Sequence, residues 1–258
     1  MKRIMTVIFL SLAMGVAAFA QEAKPKAEAK PAEAKQADAM PSADQIIEKY
    51  VQAMGGKAAI EKLNSRTTKA SFEIPAMGAS GTVEGYEKAP NKTLAIITIP
   101  GFGVIREGFD GKVAWAEDPT SGMREKSGLE LTDVKLEAEF HRPIKLKQLF
   151  PTMTVKGKEK VGEKEAYVIE AKPAEGSMEK WYFDTQTGLM IRQDAERETP
   201  QGKMPTETYL EDYKEVDGVK IPHSVRLTNP MFTISIKTEE IKHNVPVDDA
   251  KFVKPAAK

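Results

Sequence analysis

Apolar positions recur along this chain with two different periods, and the switches between them divide it into elements. Ile46, Ile47, Tyr50, Val51 and Met54 fall at helical spacing behind Ser42-Ala43-Asp44-Gln45, a capping box of the S-x-x-Q type. Gly55-Gly56 stops that helix as a left-handed cap does, and a second short helix is predicted over Lys57–Leu63. From Arg66 the period drops to two. Thr67–Ile74 puts Ala70, Phe72 and Ile74 on one face, and Gly81, Val83 and Gly85 alternate in the next run. Thr93–Ile99 is apolar on both faces, and Val104–Phe109 and Lys112–Glu117 continue the series. The breaks are turn residues: Pro75, Ala89-Pro90-Asn91, Pro100-Gly101 and Asp110-Gly111, the last a strong hairpin signal.

Between Gly128 and Pro151 the pattern turns helical again, with Leu129, Val134, Leu136 and Phe140 among charges, then Ile144, Leu146, Leu149 and Phe150. Strands resume at Thr152–Val161, Glu165–Ala171, Met178–Asp184, Leu189–Thr199, Thr206–Val216, Lys220–Leu227 and Phe232–Lys242. Their turns include Thr187-Gly188, Asp217-Gly218 and Asn229-Pro230. The chain therefore reads as an antiparallel meander of roughly eleven or twelve strands, with helices in front and a helical insertion between two sets of strands. Such spacing signals a sandwich or barrel, and residues 42–258 fit one β domain.

The ends change this picture. Lys2 and Arg3 precede an apolar run from Ile4 to Val16 that closes on Ala18-Phe19-Ala20, so residues 1–20 are predicted to be a signal peptide cut after Ala20. The run is shorter than the about 20 residues a spanning helix needs. Were cleavage to fail, residues 4–16 would become a membrane anchor. Residues 21–41 are low-complexity Ala, Lys, Glu and Pro with almost nothing to bury, and read as a disordered linker. It serves either as a spacer or simply as a tolerated N-terminus.

Composition then excludes chemistry. The chain has no Cys, hence no thiol nucleophile, no disulfide and no lipid-bearing cysteine behind the signal. Its 38 basic and 38 acidic residues balance and form no phosphate-tracking patch, so nucleic acid is not an expected partner. His141, His223 and His243 are scattered, no metal-ligand spacing occurs, and no G-x-S-x-G, P-loop or dinucleotide fingerprint is present. Asp248-Asp249, Glu239-Glu240 and Glu211-Asp212 are adjacent pairs, which on a strand point to opposite faces. No cofactor, metal or catalytic residue is expected.

Apolar side chains exceed what one buried face needs. Met77, Met123, Met153, Met178, Met190, Met204 and Met231 are spread over turns and strands, either as ordinary core and surface Met or as the adaptable lining of a cavity. A meander that curls without closing leaves a concave apolar face that helices can cover. Such a face would bind an acyl chain through burial of methylenes, each contributing about 0.8 kcal/mol.

Three segments carry a resemblance. Trp181-Tyr182-Phe183-Asp184-Thr185-Gln186-Thr187-Gly188-Leu189, the run Tyr209–His223 with Asp217-Gly218 and Pro222, and Asn244–Phe252 are similar to the recurring strand-and-turn signatures of the LolA/LolB-like outer-membrane lipoprotein-sorting superfamily. Ala53-Met54-Gly55-Gly56 with Ala59-Ile60 resembles the front-helix signature of its more distant bacterial members. In physical terms Asp184 with Gly188 and Asp217-Gly218 are turns, and Pro222 is expected to end ladder bonding at a strand edge. The resemblance covers nearly all of 42–253. It implies a mainly β fold with flanking helices (α+β), an antiparallel open half-barrel of about eleven strands.

The resemblance also implies an apolar cavity between sheet and helices for lipid or lipoprotein acyl chains. Its expected lining is Phe72, Ile74, Val83, Leu94, Ile96, Trp115, Leu136, Phe140, Trp181 and Phe183. Arg66, Arg106 and Arg142 are candidates for the polar group at the lid, with Arg142 adjoining the helical insertion. Without a lipoprotein Cys, the chain matches a soluble periplasmic carrier rather than an anchored acceptor. A cell-envelope scaffold that reuses the fold, with membrane proteins of the envelope as partners, is the alternative. A hydrolase would need convergent acids or a Ser with its base, and neither is visible.

Overall fold

A computed structural model describes residues 40–199 and 202–256. The predicted signal peptide and residues 21–39 of the linker lie outside the described residues. Ser42 caps helix α1 (Ala43–Ala53), its hydroxyl accepting from Gln45 N while the Gln45 side chain accepts from Ser42 N, so the capping box forms as the sequence predicts. Helix α2 (Lys57–Glu61) follows across Gly55 and Gly56, whose φ angles are 121° and 86°. Gly55 is required for proximity as well as dihedral: a Cβ there would lie 2.1 Å from the Gly218 carbonyl oxygen.

Among the described residues thirteen strands join one antiparallel sheet. The first six are β1 (Ser65–Ile74), β2 (Ala79–Lys88), β3 (Lys92–Ile99), β4 (Gly103–Phe109), β5 (Ala114–Asp118) and β6 (Gly122–Glu125). Helices α3 (Gly128–Glu137) and α4 (Arg142–Leu149) then precede β7 (Thr152–Val161), β8 (Lys164–Lys172), β9 (Glu179–Asp184), β10 (Met190–Thr199), β11 (Gly202–Val216), β12 (Val219–Thr228) and β13 (Thr233–His243). The strand order is β6-β5-β4-β3-β2-β1-β13-β12-β11-β10-β9-β8-β7, so two meanders meet where the first strand pairs with the last. The sheet stays open, and this is a mainly β half-barrel with helices. Two features differ from expectation. The short polar strand β6 is additional, and Pro222 sits inside central strand β12 rather than at an edge. It is accommodated opposite Tyr213, beside Asp212, which takes a φ of 52° and has no partner in the register.

The helical insertion runs from one edge strand, β6, to the other, β7. Helix α3 packs Ala138, which caps it, and Val134 against Phe109 and Ala114 on one wing. On the other wing its Glu137 pairs with Arg197 of β10 at 2.6 Å. The insertion thus bridges the open side of the sheet. The main core lies beneath it: Ile46, Ile47 and Tyr50 of α1, Met54 at its C-cap and Leu146 of α4 pack on Ile169, Trp181 and Phe183. A C-terminal strap, residues 244–256, crosses the opposite face, where Val247 and Phe252 cover Leu94 and Trp115.

Candidate binding cavity

Cross-strand register fixes which side chains share the helix-covered face. Arg66, Glu87, Thr93 and Phe109 form one row across β1–β4, and Thr68, Gly85, Ala95 and Glu107 form the next. A third row, Ala70, Val83, Ile97 and Ile105, is entirely apolar. On the other wing Phe72, Ile236, Val225 and Leu210 line up across β1, β13, β12 and β11. Val83, Ile97, Ile105, Val225 and Ile236 are only half-buried, because the helices cover the face at its other end.

Between this face and the helices lies a cavity of about 540 Å³. Its apolar wall comes from Tyr50, Met54, Ile60, Leu63, Phe140 and Leu146, with Met190, Leu210 and Ile221 from the sheet. Burial pushes the Tyr50 hydroxyl up to about 12, so it is neutral in the physiological range. The polar wall holds Arg66, Glu87, Glu107, Lys126, Glu137, Glu139 and Arg142. Arg66 pairs with Glu87 at 3.4 Å and its guanidinium stands 5.6 Å from the centre of the Phe140 ring. Lys126 pairs with Glu107 at 2.8 Å. Behind Arg66, buried His243 meets Asp217 at 2.9 Å. Burial, with Arg66 alongside, holds the imidazole below its ordinary value despite the opposing pull of Asp217.

The residues expected to line the cavity separate into groups. Phe140 borders it. Phe72, Ile74 and Val83 occupy the same sheet face, farther along the strands than the cavity. Trp181 and Phe183 are fully buried in the core beneath the helices, stacked edge-on with ring centroids 6.4 Å apart, so they support the cavity without facing it. Leu94, Ile96 and Trp115 belong to the opposite face. Alternation turns Thr93 and Ala95 toward the cavity, and Leu94, although it borders the space, packs its side chain with Trp115 under the strap. Trp115 Nε1 donates to Phe252 O at 2.9 Å. Leu136 faces the loop around Gly176, where its Cδ1 lies 3.3 Å from a built Cβ.

The arginines separate in the same way. Arg106 lies on the strap side, paired with Glu117 at 3.0 Å. Arg142 borders the cavity, but its Nη2 donates to Glu179 Oε2 at 2.7 Å while its guanidinium lies over Phe150 and Trp181. That carboxylate, 1% exposed, also accepts from Trp181 Nε1, Gln193 Nε2 and Arg197 Nη1. Arg142 is therefore a fixed wall. Arg66, which pairs with Glu87 at 3.4 Å and lies over Phe140, is held by a longer ion pair than Arg142 and is the more available cation. The acidic and basic lining was not anticipated from the sequence. Strand alternation could have found it, because Glu87 and Glu107 share parity with Gly85 and Phe109. Among the described residues no cluster of three or more His, Cys, Asp or Glu could hold a metal ion.

No protein-family model matches the sequence, and no curated protein matches it. Solved structures do match in fold. A DUF1329 family protein from Desulfovibrio piger aligns with a TM-score of 0.56 at 14% identity, covering 81% of this chain and 96% of its own. A LolA superfamily protein from Nitrosomonas europaea aligns at 0.56 and 13% identity, covering 83% and 99%. An outer membrane lipoprotein-sorting protein domain from Vibrio parahaemolyticus aligns at 0.55 and 13%, covering 82% and 97%. In fold, this chain is similar to the LolA superfamily and to outer membrane lipoprotein-sorting proteins.

Proposed function

We propose that this chain is an exported, non-enzymatic carrier that holds an acyl chain of a lipid or lipoprotein between its sheet and helices. One observation carries the reading: a cavity of about 540 Å³ with an apolar wall lies beside an apolar row of the same sheet face, in which Val83, Ile97 and Ile105 are only half-buried. The volume falls within the about 300–1,000 Å³ of small-molecule sites. A chain burying about ten methylenes would gain up to about 8 kcal/mol before the costs of ordering it. Arg66, beside Phe140 at the polar wall, is placed to meet a carboxylate, ester or phosphate at the end of that chain. Residues 1–20 would direct the chain to the periplasm and be removed after Ala20, leaving 42–258 as the carrier domain behind a linker.

The test is gentle purification without detergent, followed by organic extraction and mass spectrometry. Co-purifying acyl lipid or acylated peptide is the expected result. A protein with no extractable acyl species that captures envelope membrane proteins instead would support the scaffold reading and overturn this one.

A further inference from the structure

Three stretches of this chain are free of ionisable residues over unusual length: 74–83, 93–105 and 227–236. The fold brings their turns together. Each is a hairpin tip, closing β1 to β2, β3 to β4 and β12 to β13, and the strand order β4-β3-β2-β1-β13-β12 makes these three hairpins consecutive in the sheet. All three tips lie at one end, because Ile74 pairs with Ala79, Ile99 with Gly103, and Thr228 with Thr233 in an antiparallel register. Strands lie about 4.8 Å apart, so successive tips stand about 10 Å apart.

Each tip raises one large apolar side chain into solvent: Met77 is 67% exposed, Phe102 49% and Met231 71%. The tips protrude, since a Cβ built on Gly78 or Gly101 meets nothing within 4 Å. At the other end of the sheet, turns carry Asp110, Lys112, Glu163 and Asp217. The other hairpins at this end carry charge: Asp118 on the turn from β5 to β6, Glu175 between β8 and β9, and Glu196, Arg197, Glu198 and Lys203 flanking the turn from β10 to β11. The uncharged sector is therefore confined to the three neighbouring tips, above the half-buried row of Val83, Ile97 and Ile105.

We propose that Met77, Phe102 and Met231 form a docking edge that inserts into the surface of a lipid bilayer. Convex tips suit a fluid partner, which closes around each side chain. Three separate side chains offer about 300–500 Å², short of the roughly 800 Å² per partner of a stable protein interface. The lack of charge behind the tips matters for the same reason, because any Lys, Asp or Glu carried into the acyl region would oppose insertion. Docked this way, the molecule would turn the open end of its apolar sheet face toward the membrane. The docking claim stands on the tips alone and does not require the cavity to hold lipid.

The chain lacks Cys, so single substitutions M77C, F102C and M231C accept an environment-sensitive nitrobenzoxadiazole label at one position each. E163C, on the turn between β7 and β8 at the opposite end, is the control. With vesicles of mixed phosphatidylethanolamine and phosphatidylglycerol, the three tip labels should brighten and shift to the blue while E163C stays unchanged. The shift should persist in high salt, since no charge carries the contact. Replacing all three (M77S/F102S/M231S) should abolish the vesicle response of a second label placed beside a tip. Each lost side chain should weaken partitioning about tenfold or more. The triple variant should keep its melting temperature and its binding of a soluble fluorescent fatty acid, which separates failure of docking from failure of the carrier reading. The proposal is overturned if tip labels do not respond to vesicles, or respond no more than E163C. It is equally overturned if they respond to protein concentration without lipid, which would mark an interface between copies.

Discussion

A carboxylate buried as deeply as that of Glu179 persists only because its surroundings point donors at it. Two arginines, an indole N–H and an amide converge on its two oxygens. Glu179→Gln removes the charge and leaves Arg142 and Arg197 facing a neutral amide in a dry setting. The expected cost is about 3–5 kcal/mol, reduced by whatever water reaches the partly exposed guanidinium groups. Urea unfolding should show a lower midpoint, and an unchanged midpoint would show that the network contributes nothing net. At this scale the sequence was partly legible. Strand alternation places Glu179, Trp181 and Phe183 on one face, and an acid on an apolar face demands a partner. Which partner arrives depends on α4, and no local pattern near Glu179 announces Arg142. The same limit explains why Trp181 and Phe183 read as cavity lining: parity gives the face, while the position of α1 and α4 over it decides what is core.

Among the elements, the strap formed by residues 244–256 has the most consequence for stability. It carries Phe252 onto Trp115, sets Asp249 between Lys88 and Lys92, and ends with Lys254 on Glu125. Hydrogen bonds from the two lysines hold the Asp249 carboxyl at about 2, so the clasp is charged throughout the neutral range. Phe252 is fully buried, and Phe252→Ala should cost about 3–5 kcal/mol with exposure of Trp115. A red shift in tryptophan emission together with a lower unfolding midpoint would bear this out; a wild-type midpoint would mean that the strap is dispensable. Local elements were legible where turn chemistry is explicit. Ser42 and Gln45 form the predicted cap, and Asp184 accepts from Gln186 N and Thr187 N in the predicted turn. Strand β6 was not, because four residues of mixed polarity show no period. Nor was the union of β1 with β13, since no turn joins the first strand to the last.

At the scale of the molecule, an open sheet needs its concave side filled, and this one is filled unevenly. The core packs tightly around Trp181, while about 540 Å³ remains between the helices and the sheet, lined from β1–β4 and from β10–β12. The resemblance implied an open half-barrel with flanking helices, and that architecture is what the structure has. The location of the space was less legible, since it depends on how the insertion crosses from β6 to β7. Gly85 offers a way to close it. The residue borders the cavity, its backbone is ordinary, and a Cβ built there meets Thr68 at 3.5 Å, so a side chain can be added with little strain. A leucine at that position would project into the cavity and take volume from any ligand.

The most direct measurement is therefore titration of a fluorescent fatty acid into the wild-type chain and into Gly85→Leu, with thermal unfolding of both alongside. The carrier account predicts saturable binding by the wild type, displacement by unlabelled fatty acid, and affinity weakened about tenfold or more in G85L at an unchanged melting temperature. Equal binding by the two proteins, or none by the wild type freed of endogenous lipid, would contradict it.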